Sequence, residues 1–72
     1  MNTEPAPTPE WKQRVAAERD ELAGRLQRLE TFFSTDEFAK VPSREQDRLR
    51  YQHSLMLNLQ AVLTARIEND FK

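Results

Sequence analysis

The run from Ser43 to Phe71 constrains this chain more than any other stretch, because its apolar residues reach around too much of a helical circumference for one neighbour to cover. Projected at about 100° per residue, Tyr51, Val62, Leu55, Leu59, Leu63, Met56, Leu49, Ile67 and Phe71 spread over roughly 200°. A helix packed on one side needs a stripe only somewhat wider than about 100°. Part of this run must meet something beyond its nearest helix.

Polar groups sit inside that arc. Gln52, Leu59 and Arg66 recur seven residues apart, and Arg48 lies one turn before Gln52 on the same stripe. Polar and charged groups within a greasy surface are costly unless they find partners. Two readings follow. Arg48 and Arg66 extend outward on their aliphatic stems or pair with carboxylates of a facing helix. Alternatively, they are donors aimed at a bound anion or a partner protein, since a guanidinium matches phosphate and carboxylate geometry.

The rest of the chain supplies a partner for one side of the run. Residues 1–8, with Pro5 and Pro7 among small polar residues, form an extended tail, and residues 9–72 form a single domain. Thr8 is expected to cap a first helix with Pro9 at its first position and Glu10 in its first turn. From there to Phe33, the residues Trp11, Val15, Leu22, Leu26, Leu29 and Phe33 fall in one narrow stripe, with Ala16 and Ala23 beside it. The outer face carries Glu10/Arg14 and Glu21/Arg25 in the favourable i, i+4 order. Arg19 falls on the packing side next to Leu26 and Ala23, where it is expected to border the core.

Between the two helices, Ser34 with Glu37 has capping-box spacing, which predicts a short helical turn through Lys40. Phe38 and Val41 would fold back to plug the end of the hairpin, and Pro42 would stop the turn. Ser43 with Gln46 is a second capping-box pattern that starts the long helix. The fold class is all-α, an antiparallel helical hairpin of two long helices with a short helical turn between them.

A chain of 72 residues has a small core, and without cysteine it has no disulfide to stiffen it. Association is the usual remedy. We expect a homo-oligomer, most simply a two-fold dimer forming a four-helix bundle in which Tyr51, Leu55, Leu59 and Val62 meet their symmetry copies. The competing expectation is a monomer whose connecting segment and Trp11 hide that surface.

Several chemistries lack their residues. His53 is the only histidine and has no acidic residue three or four positions away, so a single chain offers no metal site and no cofactor is expected. Ser54 lies about 100° around the helix from His53, which denies a nucleophile its base. No glycine-rich loop cradles phosphates. Eleven basic against twelve acidic residues leave a net charge of −1, and Arg44, Arg48 and Arg50 scatter around the helix among Glu45 and Asp47, so nucleic acid is not an expected partner. No apolar run reaches the roughly 18 residues of a membrane span, and the N-terminus lacks the features of a secretory signal, which makes the cytoplasm the expected location. The chain is not expected to be an enzyme.

Leu49, Gln52, Met56, Leu59, Leu63, Arg66 and Ile67, preceded by Phe38, Val41 and Pro42, resemble a pattern in small proteins of tailed bacteriophages and prophages. In these, an amphipathic helix is followed by a short loop and a second helix with a Gln, Met and terminal Arg-Ile signature. The resemblance covers nearly the whole chain from about Trp11. It implies a counter-defence role in the host cytoplasm, in which an oligomer acts as a sponge for a cyclic nucleotide or related immune signal held between subunits. Arg19, Arg48, Gln52 and Arg66 are the ligand contacts it suggests, and Tyr51 or His53 would stack on a base. The chain departs from the pattern at Leu59, where related chains often carry Tyr, leaving Tyr51 as the only candidate phenol. The alternatives are an adaptor whose apolar helix face blocks a host protein, and a purely structural or regulatory helical bundle.

Overall fold

A computed structural model describes residues 9–68, which form a hairpin of two long helices joined by a single helical turn: α1 (Glu10–Phe33), α2 (Asp36–Ala39) and α3 (Ser43–Glu68). The expected tail, the Thr8 cap and Phe71 lie outside the described residues.

Helix α1 starts one residue later than the cap pattern predicts. Pro9 is itself the N-cap, with extended backbone at φ −54° and ψ 145°, and its carbonyl accepts from the amides of Lys12 and Gln13. Proline has no side-chain acceptor, so the first turn relies on that carbonyl and on the negative charge of Glu10 at the positive end of the helix. Glu10 also reaches Arg14 at 3.9 Å, whereas Glu21 and Arg25 close no ion pair.

The turn departs from its expected chemistry in an instructive way. Thr35, not Ser34, caps α2, its Oγ1 accepting from the amide of Phe38 at 3.3 Å while Ser34 donates back to the Thr31 carbonyl at 2.8 Å. Gln46 does not turn back to Ser43 as a capping box would. Its Nε2 donates to the carbonyls of Phe38 at 3.0 Å and Val41 at 2.9 Å. One amide of α3 thereby ties down two carbonyls at the end of the turn, that of Val41 and that of Phe38, which also accepts from the Val41 amide at 3.0 Å. Phe38 is buried there, at 5.6 Å from the Phe32 ring and 4.9 Å from the Phe33 ring, with Arg50 over its face at 5.1 Å. Val41 is half-buried, so the two residues plug the hairpin end as their spacing predicts.

Between the long helices the core is thin. Val15, Leu22 and Leu26 of α1 close on Leu63 of α3, with Met56 and Ile67 packed against them. The register is antiparallel, marked near the turn by His53 Nε2 at 2.8 Å from a Glu30 carboxylate oxygen and by the His53 ring edge-on to Phe33 at 5.5 Å. Only one side chain of α3, Leu63, is fully buried. A helix with nine large apolar residues has thus spent few of them on its own hairpin.

Candidate functional site

Apart from Leu57, the exposed large apolar residues of α3 lie together. Tyr51, Leu55, Leu59 and Val62 are 67%, 49%, 49% and 54% exposed, and at about 100° per residue they occupy one strip of α3 roughly 120° around from the side that meets α1. The connecting segment does not reach them, and Trp11 is itself exposed at 37%. Among the described residues, neither the connecting segment nor Trp11 hides this strip. Exposed apolar surface of this continuity on so small a protein is characteristic of an interface.

Besides Tyr51, three of the six predicted ligand residues share that strip. Arg48 and Arg66 are eighteen residues apart, five full helical turns, and so project along one line. Gln52 stands one turn from Arg48 beside them, its Nε2 resting against the Met56 sulfur at 3.8 Å. Arg48 touches Glu45 at 3.5 Å, an exposed contact of the kind that contributes little to stability. Arg66 is half-buried and forms no ion pair with any described residue. The arginines therefore keep most of their donor capacity. A mobile or shared carboxylate satisfies less of a guanidinium than a phosphate held on two oxygens would.

The other two predicted residues do not join them. His53 lies on the opposite border of α3, engaged by Glu30 and Phe33. Its acid comes from the facing helix, which spacing within one helix could not reveal. Arg19 precedes Glu30 by eleven residues, three turns along the same border of α1, which puts it on the His53 side of the hairpin. It borders the core half-buried. A ligand lying on the outward strip of one chain would touch neither.

The hairpin also carries a shallow, open depression of about 370 Å³ near the end of α3, lined by Leu57, Gln60, Ala61, Thr64, Ala65 and Glu68. It contains none of the predicted contacts. Its single charge is a carboxylate, so an anion would be repelled there. The outward strip, flat but lined by cations, is the better candidate. Among the described residues no group of His, Cys, Asp and Glu could hold a metal ion, and no helix is long and apolar enough to cross a membrane.

A family model described as Sequestin matches residues 9–69, from the cap of α1 past the described end of α3. No curated protein and no solved structure gives a significant match.

Proposed function

The chain belongs to the Sequestin family, and from that premise we propose that it is a non-enzymatic binding protein that dimerises through the outward strip of α3 and sequesters a small anionic nucleotide at the subunit interface. The family's name denotes sequestration, and the hairpin offers surface for holding rather than for transforming. One observation carries the reading: Arg48, Gln52 and Arg66 stand on the same exposed strip as Tyr51, Leu55, Leu59 and Val62. An apolar strip alone would serve any partner helix. Guanidinium groups embedded in it add affinity for phosphate, and dimerisation would withdraw them from water, where charge-assisted hydrogen bonds gain strength.

The resemblance to phage and prophage proteins supports reading the ligand as an immune signal of the host and the protein as a counter-defence sponge in the host cytoplasm. Sequestration needs only a tight, slowly released complex. Calorimetric titration against a panel of cyclic dinucleotides and ADP-ribose derivatives, alongside the solution mass, tests this reading. The expected result is a dimer that binds one class with unaltered ligand recovered on denaturation. A dimer that binds none of the panel would sink the nucleotide reading and turn attention to the adaptor, in which the same apolar strip docks on a host protein.

A further inference from the structure

The strip poses a problem that a single chain cannot solve. Arg48 and Arg66 of one chain are separated by eighteen residues, about 27 Å at 1.5 Å per residue. That is longer than a small nucleotide, so the two guanidiniums of one protomer cannot close on one ligand.

Their placement removes the difficulty when a second copy is added. The four exposed apolar residues are centred close to position 57, and Arg48 and Arg66 lie nine residues before and nine after that point. In an antiparallel pair of α3 helices, residues at equal height have numbers with a constant sum. The register that overlaps the apolar strips best sets Leu55 against Leu59 of the partner subunit, and the same register sets Arg48 level with Arg66 of the partner subunit. Both arginines are offset by about 25° to the same side of the strip's midline, and a two-fold axis perpendicular to the helices preserves that side. They converge on one flank. Gln52 projects to this flank as well, whereas Tyr51 is offset the other way, within one residue's rise of Val62 of the partner subunit.

Resting on the sequestration reading above, we propose that the anion site is built in trans: Arg48 and Gln52 from one protomer, Arg66 from its partner, repeated twice per dimer about 27 Å apart. Two guanidiniums brought level on one flank repel each other. The nearby carboxylate, Glu45, is already beside Arg48 at 3.5 Å and can offset only one of them. A ligand carrying two negative charges, such as a diphosphate or the paired phosphates of a cyclic dinucleotide, neutralises the remainder and fastens the two chains together. Binding and dimerisation are then linked, each strengthening the other.

Mixed dimers decide this. Arg48→Ala and Arg66→Ala homodimers each lose one guanidinium at both sites, and each is expected to bind cyclic dinucleotide or ADP-ribose probes at least about tenfold more weakly, the loss of one charge-assisted contact. A heterodimer of the two variants, purified with two different tags, retains one complete site and has one site lacking both arginines. Titration should recover one site of wild-type affinity per heterodimer. A heterodimer no better than its parents overturns the trans arrangement.

The chain has no cysteine, so the register can be read separately with a short bismaleimide linker and mixed R48C and R66C chains. Cross-linking between positions 48 and 66 is expected, and cross-linking only between like positions overturns the register. If 48 joins 66 but none of the probes binds, the pairing of the helices stands and the nucleotide reading falls. Glu45→Gln separates the remaining alternative: it should leave the dimer intact and binding at least as tight, whereas a dimer weakened severalfold would mean that Glu45 itself answers the partner's Arg66, which overturns the ligand site.

Discussion

The two sides of α3 make an internal comparison. Toward α1, Met56, Leu63 and Ile67 meet a stripe of matching width and are covered. Away from it, Tyr51, Leu55, Leu59 and Val62 are also largely apolar and remain exposed. The helix does not distinguish them by propensity or by composition. Only the width of α1 does, since one cylinder in contact with another shields an arc of about 100°. The polar residues differ in the same sense. On the covered side, His53 finds Glu30 and Gln46 finds two carbonyls within the chain. On the bare side, Arg66 finds no described carboxylate and Gln52 only a sulfur. Among the described residues one side of the helix is covered and the other is exposed.

The comparison can be broken at its strongest point first. Leu63 is the single buried side chain of α3, so Leu63→Ala should lower unfolding free energy by about 2–5 kcal/mol in urea titrations, a large share of the stability of so small a domain. The same truncation at exposed Leu57, 42% exposed, should cost under about 1 kcal/mol by that measure, as surface positions do. A Leu55→Glu, Leu59→Glu double variant should keep the helical circular dichroism of the hairpin while its mass in solution falls to that of one chain. A variant that still associates as the proposed dimer would show that the two sides do not differ as their exposure indicates.

Smaller effects sharpen the contrast. Gln46→Ala removes two hydrogen bonds from the hairpin end and should cost about 1–3 kcal/mol, since the Val41 carbonyl loses its donor while that of Phe38 keeps only the Val41 amide. Glu30→Gln keeps an acceptor near His53 and should cost no more than about 1 kcal/mol, because Glu30 is half exposed. Gly24 lies in α1, where an added methyl would meet only Arg28 Nη1 at 3.5 Å, an ordinary contact. Gly24→Ala should therefore raise the midpoint of thermal unfolding, by an amount corresponding to about 0.5–1 kcal/mol.

Much of this architecture was legible before any coordinates. The stripe of α1, the turn with Phe38 and Val41 at its end, and the excess of apolar surface on α3 all follow from periodicities of 3.6 residues and from a proline placed after Val41. Capping was less legible. Ser34 and Thr35 are adjacent and chemically equivalent, and which of them caps depends on how α1 ends, a difference of one residue. Gln46 satisfied a capping-box pattern with Ser43 on paper, yet its amide serves the element before it. The candidate site was legible as a list and not as a place. Arg48, Gln52 and Arg66 could be grouped by heptad spacing, but Arg19 and His53 joined that group only until the sides of the hairpin were assigned.

By itself the sequence determined two amphipathic helices, the turn between them, and an apolar arc on the second wider than one neighbouring helix covers, because these depend on neighbours a few residues away. The tertiary structure decided which part of that arc is left over and which polar groups accompany it. Sides of a helix are chosen by long-range packing: once Leu63 turns to α1, a rigid 100° step carries Tyr51, Leu55, Arg48 and Arg66 outward together and leaves His53 against Glu30.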